Sequence, residues 1–249
     1  LFSFEVNEGP DWSTENLVIN DNNLYVTINN AYEWGNYKGI IGVVDLSTMT
    51  YTNEIDLGEE GKNPINLMLK DNTLYTINNQ NWDGSSVSIV DLNNNEPQTI
   101  NLADVSAGCG VSILRGSKLN YQKAYDNLMY IFDLETQTQT GVESNLNDNF
   151  YAVAQDEINN YLYTSTSDFI SNSQVDIYNS DNILVNSFIA DVTTRNIVFD
   201  LRANNVSIIE ETKKFKTIKQ IDLLGRNANK NTRLSMQVSD KKSTTKFVF

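Results

Sequence analysis

Residues 65–102 read INLMLKDNTLYTINNQNWDGSSVSIVDLNNNEPQTINL. Apolar residues alternate at Ile65, Leu67 and Leu69, and Lys70-Asp71-Asn72 has turn chemistry. Leu74 to Ile77 reads as a second strand, Val87 to Val90 as a third, and Thr99 to Leu102 as a fourth. Alternation over a few residues between Asn, Asp and Gly clusters is the signature of short antiparallel strands joined by hairpins. No long stretch has the 3.6-residue period of an amphipathic helix.

The pattern recurs along the chain. Leu74-Tyr75-Thr76-Ile77 has counterparts in Leu24-Tyr25-Val26-Thr27 and Leu162-Tyr163-Thr164-Ser165, with a weaker copy at Leu119-Asn120-Tyr121. The run ending Val90-Asp91-Leu92 matches Val44-Asp45-Leu46, Phe132-Asp133-Leu134 and Val175-Asp176-Ile177. The aspartates step by 46, 42 and 43 residues. Four strands per ~40–45 residues is the period of a β-propeller blade, and closing such sheets into a ring protects their edges. The expected fold is therefore all-β, a propeller of four-stranded blades followed by a short C-terminal β segment. Residues 1–202 hold roughly 4.7 periods. They read as a ring of about five blades, or as part of a larger ring. In a five-blade ring, Leu1 to Val6, Ile197 to Leu201 and Val206 to Ile209 would share the last blade. Taken together, Leu-Tyr-x-Thr, a polar loop, apolar-apolar-Asp-Leu and a Thr-containing turn resemble the YncE-like, YVTN-repeat propellers over about residues 12–202.

Charge divides the chain in two. Residues 1–202 carry a net −20 and residues 203–249 a net +6, within a total of −14. We read 1–202 as the repeat domain and 203–249 as a basic tail. An acidic body lacks the basic face that releases counterions from nucleic acid, so nucleic acid is not an expected partner. No apolar run reaches the ~20 residues that span a bilayer. With no histidine in 249 residues, imidazole-based triads and imidazole zinc sites are excluded. The single cysteine, Cys109, forbids an internal disulfide and is expected to be a small buried hydrophobe.

In propellers, the loops from strand two to strand three and the blade-to-blade connections open on one face. The first set is aromatic and acidic here: Tyr32, Glu33, Trp34 and Tyr37, then Trp82 and Asp83, Tyr125 and Asp126, Asp168 and Phe169. The second set adds Glu59, Glu60, Asn63, Asp104, Asn147 and Asp148. Loop aromatics bury much area at low entropy cost, and acidic neighbours select polar, cationic or hydroxyl-rich partners. The first ten residues are the candidate ligand-binding set. No catalytic residue, metal ligand or cofactor is assigned. Calcium is considered only at Asp91-Leu92-Asn93-Asn94-Asn95-Glu96, which lacks the glycine and closing glutamate of a calcium loop and reads as a turn. The same face could instead take a protein partner, as a module for adhesion or assembly, and the enzymatic alternative is a metal-dependent, lactonase-like or other hydrolytic propeller, because lactonase chemistry on this fold uses Glu, Asn and Asp.

Residues 210–249 differ from the rest. Asp222-Leu223-Leu224-Gly225-Arg226, then Leu234-Ser235-Met236-Gln237-Val238 and a terminal Lys246-Phe247-Val248-Phe249, resemble the type A sorting signal of the Bacteroidota type IX secretion system. The Pro-Asn-Pro start and Gly-x-Tyr ending common in such tails are absent. The resemblance implies export across the outer membrane, with an N-terminal signal already removed, and release or retention at the cell surface. It also implies the type IX machinery as a partner. The propeller resemblance implies capture of a small molecule or nutrient, for instance a corrinoid, for an outer-membrane receptor.

Overall fold

The structure, a computed structural model, describes residues 3–5, 7, 14–29, 35, 37–102, 107–199, 217–222 and 235–239. The chain divides into two units, Leu1–Phe199 and Asp200–Phe249.

The first unit is built from four antiparallel four-stranded sheets. Blade one contains β1 (Thr14–Asn20), β2 (Asn23–Ile28), β3 (Ile40–Asp45) and β4 (Thr50–Asp56). Blade two contains β5 (Met68–Lys70), β6 (Thr73–Asn78), β7 (Ser85–Asp91) and β8 (Glu96–Leu102). Blade three contains β9 (Ser112–Arg115), β10 (Lys118–Gln122), β11 (Met129–Asp133) and β12 (Thr138–Val142). Blade four contains β13 (Ala152–Asp156), β14 (Tyr161–Thr166), β15 (Asn172–Tyr178) and β16 (Leu184–Val192). Within each sheet the strands follow chain order, and the first strands of successive blades, β1, β5, β9 and β13, lie side by side. Those first strands therefore face the axis.

The repeat motif has a packing explanation. In the registers Leu74↔Val90, Leu119↔Phe132 and Leu162↔Tyr178, each motif leucine and its partner sit on the side of the preceding blade. Leu74 and Val90 join Tyr25, Ile41 and Val43 of blade one in a buried cluster. Leu119 and Phe132 join Ile77 and Val87 of blade two, and Leu162 and Tyr178 join Met129 of blade three. The motif tyrosine, one residue on, points to the opposite face because side chains alternate. Tyr25 packs toward blade two, and Tyr75 toward blade three. In blade three this position is Asn120, whose Nδ2 donates to Glu143 Oε1 at 3.1 Å. At this position that polar contact stands where the other copies pack a tyrosine.

The aspartate ending each third strand closes the next turn. Asp45 Oδ1 accepts from the Ser47 and Thr48 amides at 2.7 and 3.2 Å, and Asp133 Oδ1 from Glu135 and Thr136 at 3.0 and 2.8 Å. Asp91 accepts from the Asn93 amide at 2.9 Å, so residues 91–96 form a β7–β8 turn. The fourth copy needs a correction. The register places Asn179, not Asp176, at this position, because Tyr178 pairs with Leu162 and takes the core site. Asn179 Oδ1 accepts from the Asp181 and Ile183 amides at 3.0 and 2.9 Å. The Asp176 carboxylate instead accepts from Gln174 Nε2 at 2.8 Å.

Among the described residues there is no fifth sheet in this unit. Ser3 to Glu5 lie outside strands, and Phe4 stacks on Tyr51 of β4, with ring centroids 4.6 Å apart. Residues 197–199 are also outside strands, and Phe199 packs edge-on against Tyr163 at 5.1 Å. Residues 200–209, expected to contribute to a last blade, fall outside the described residues. In the second unit, β17 (Thr217–Asp222) pairs antiparallel with β18 (Ser235–Ser239). No helix among the described residues is long and apolar enough to cross a membrane.

Candidate functional site

The inner strands start at one end of the stack, where a cavity of about 450 Å³ opens. All four blades supply its wall: Glu15 and Asn16 from β1, Asn63, Ile65 and Asn66 before β5, Cys109 to Ser112 into β9, and Tyr151 to Val153 into β13. The loop ends Asn29, Asn79 and Trp82, and Arg195 and Asn196 after blade four, complete it.

Asparagine amides cross-link much of this wall. Asn63 Nδ2 donates to Asn79 Oδ1, which also accepts from the Asn81 amide at 3.0 Å. Asn79 Nδ2 donates to the Gly108 carbonyl at 2.9 Å, and Asn66 Nδ2 to the Gly110 carbonyl at 3.1 Å. The last two bonds tie blade two to the segment entering blade three. Trp82 ends a 3-10 turn, Gln80–Trp82, and stands 52 % exposed at the mouth. Its ring rests on Gly108: a Cβ there would lie 2.9 Å from Trp82 Cζ3 and 2.8 Å from Ala124 Cβ. Gly108 also has φ +59°, a left-handed conformation that favours glycine.

Across the cavity, Arg195 Nη2 meets Glu15 Oε1 at 3.1 Å, and Glu15 Oε2 accepts from Asn29 Nδ2 at 3.3 Å. The Arg195 guanidinium lies 5.6 Å from the centre of the Tyr151 ring, and Phe169 packs edge-on against Tyr151 at 5.1 Å. Cys109 is exposed at this wall, contrary to the expectation of burial. The reason is local: it sits in the turn between Ala107 and β9, and Ala107, two residues earlier, takes the core position. Partial desolvation pushes its thiol pKa up, the negative charge of Glu15 adds to this, and Arg195 opposes it. The thiol is thus kept protonated, a weak nucleophile.

The structure scatters the other sequence candidates. Trp82 lines the cavity, and Phe169 reaches its wall through Tyr151. Tyr37 and Tyr125 are exposed and stand outside the lining, as does Asp83. The Asp126 carboxylate accepts from the Tyr130 hydroxyl and from the Leu128 amide at 2.9 Å. Asp168 Oδ1 accepts from the Ile170 and Ser171 amides at 2.9 and 2.6 Å. Both carboxylates shape their own loops. Tyr32, Glu33, Trp34 and Asp104 lie outside the described residues. Of the blade-to-blade set, Asn63 lines the cavity, Glu59 pairs with Lys62, and Glu60 accepts from Gln80 at 3.1 Å. Asn147 and Asp148 are outside the lining. Among the described residues, no group of three or more His, Cys, Asp or Glu side chains is arranged to hold a metal ion.

Glu15, Asn16, Asn66, Tyr151 and Arg195 were not singled out by sequence. One signal was present for another pair: the fifth residue after the motif leucine is asparagine in both of the first two repeats, Asn29 and Asn79.

No protein-family model and no curated protein matches the chain. Among solved structures it is similar to hydrazine synthase of Kuenenia stuttgartiensis, with a TM-score of 0.53 and 16 % identity, over 76 % of this chain and 51 % of that one. The chain thus spans about half the length of that protein chain. The computationally designed Ika4 protein gives a TM-score of 0.49 at 15 % identity, over 72 % of this chain and 96 % of its own. At such identity the likeness to hydrazine synthase concerns fold alone. It agrees with the four sheets: the chain has an all-β, propeller-like architecture.

Proposed function

We propose that this chain is a YncE-like propeller that captures a small molecule or nutrient in the cavity at the inner-strand ends. The observation that supports this reading is the cavity itself. Its roughly 450 Å³ fall in the range of small-ligand sites, and polar groups from four blades converge there beside two aromatic rings. The wall presents amides, a protonated thiol and a carboxylate already paired with a guanidinium, a chemistry suited to holding a ligand. Binding to the folded state raises the melting temperature by mass action. The test is a thermal-shift screen of the intact chain against a small-molecule library. A saturable shift, lost in Trp82→Ala and in Asn66→Ala, is the expected result. Absence of any shift across the library would overturn the reading.

Export to the cell surface and delivery to an outer-membrane receptor belong to the same proposal. They rest on the Asp222-Leu223-Leu224-Gly225-Arg226 tail and its resemblance to a type A sorting signal. Residues 203–249 fused to a periplasmic reporter, in a host with type IX secretion, should carry the reporter to the surface or medium. Periplasmic retention of the fusion would refute the tail assignment without touching the capture site.

A further inference from the structure

We infer that the ligand of this cavity is a neutral carbohydrate, with one sugar ring stacked on Trp82; the inference rests on the capture reading above.

Charge gives the first argument. The body carries a net −20, yet the cavity lining holds one carboxylate, Glu15, and one guanidinium, Arg195, 3.1 Å apart. The lining is formally neutral. A charged ligand would have to compete with this half-exposed pair for one of its members. A neutral ligand leaves the pair intact.

The polar groups give the second. Six asparagines line the cavity: Asn16, Asn29, Asn63, Asn66, Asn79 and Asn196. A carboxamide offers both a donor and an acceptor, and so does a sugar hydroxyl. Lysine or carboxylate walls offer only one of the two. Five of these amides are already oriented by the protein: Asn16 Oδ1 accepts from the Leu17 amide, Asn29 bonds Glu15, Asn63 bonds Asn79, Asn79 bonds Gly108 and Asn66 bonds Gly110. Groups held in advance lose less freedom when a ligand arrives.

Shape gives the third. Trp82 is backed by Gly108 and half exposed at the mouth, so its indole is a supported platform. Tyr151 is steadied from Arg195 and from Phe169. Pyranose rings present an apolar C–H face and a hydroxyl edge, which match an indole beside a row of amides. A purely aromatic ligand would use the rings and desolvate the amides without compensation. The volume suits a mono- or disaccharide.

The test uses the full chain with Trp12→Phe and Trp34→Phe, which leaves Trp82 as the one indole of three. Its melting temperature is compared with the parent chain as a folding control. The emission is titrated with neutral mono- to tetrasaccharides, with glucuronate- and glucosamine-containing analogues, and with uncharged nucleosides. Alkylation of Cys109 by iodoacetamide is followed in parallel in the parent chain. The expected result is a saturable change with at least one neutral saccharide, which also slows Cys109 alkylation. Asn66→Ala should weaken that binding about tenfold, a loss of ~1.4 kcal/mol. Saturation by the charged or nucleoside probes with neutral saccharides inert would overturn the carbohydrate assignment and leave the capture site standing. If no probe alters emission or alkylation, both readings fail.

Discussion

Gly108 shows how much one residue carries. Its left-handed backbone and the absent Cβ let the segment before β9 pass under Trp82 and beside Ala124. Gly108→Val should destabilise the fold by ~1–3 kcal/mol and shift Trp82 emission, because the ring must leave its support. An unchanged melting curve and spectrum would show that the ring does not rest there. The turn aspartates carry a different prediction. Asp45 is held below the ordinary carboxylate range chiefly by the Ser47 hydroxyl, Asp133 by the Thr136 amide, Asp156 by the Asn159 side chain and Asp168 by the Ile170 amide. A carboxylate that ionises more readily in the folded state stabilises the fold at neutral pH. That contribution is complete above an unfolded pKa of about 4 and is lost as pH falls through the lower folded values. The melting temperature should therefore drop steeply below about pH 4, and Asp45→Asn with Asp133→Asn should flatten the drop. Equal slopes for the double variant and the parent would remove these turns from the account.

At the scale of the element, the four outermost strands differ. β4 carries Glu54 and Asp56, β8 carries Glu96 and Pro97, and β12 is Thr-Gln-Thr-Gly-Val. Such residues blunt an edge against pairing with another chain. β16 does not follow them. It runs nine residues, and Leu184, Val185, Phe188, Ile189 and Val192 are each 41–63 % exposed. Asp191 is its one charge. This edge should dominate self-association on heating. Ile189→Lys should lower light scattering at the melting temperature with little change in the temperature itself, and scattering as high as the parent's would place the liability elsewhere. The strands were readable because their period of two is local and the Asn/Asp turns punctuate it. The fourth repeat was misaligned for a reason that is not local. Val175-Asp176-Ile177 spells the motif, but burial of Tyr178 against blade three sets the register and hands the turn to Asn179.

At the scale of the whole molecule, each buried cluster joins two successive blades, and all three lie within residues 1–199. A chain truncated after Phe199 should keep a cooperative melt and a β-type circular dichroism spectrum. A truncated chain without cooperative melting would mean that the unit depends on residues beyond it. The candidate site is also a property of the whole, because four blades build its wall. Trp82 could be singled out by eye as a loop aromatic. Glu15 and Arg195 are 180 residues apart, and no motif links them. Asp126 and Asp168 looked like ligand groups by composition, yet their oxygens engage their own loops.

The amino-acid sequence by itself determined the strand alternation, the recurrence of the Leu-Tyr motif, the charge division and the lack of imidazole. These depend on neighbouring residues or on counting. The tertiary structure alone decided which repeat position faces which blade, that Cys109 is exposed, and that asparagines rather than carboxylates dominate the cavity wall. Those outcomes come from blade-on-blade burial, which selects one face of each strand and brings distant strand ends to a common axis.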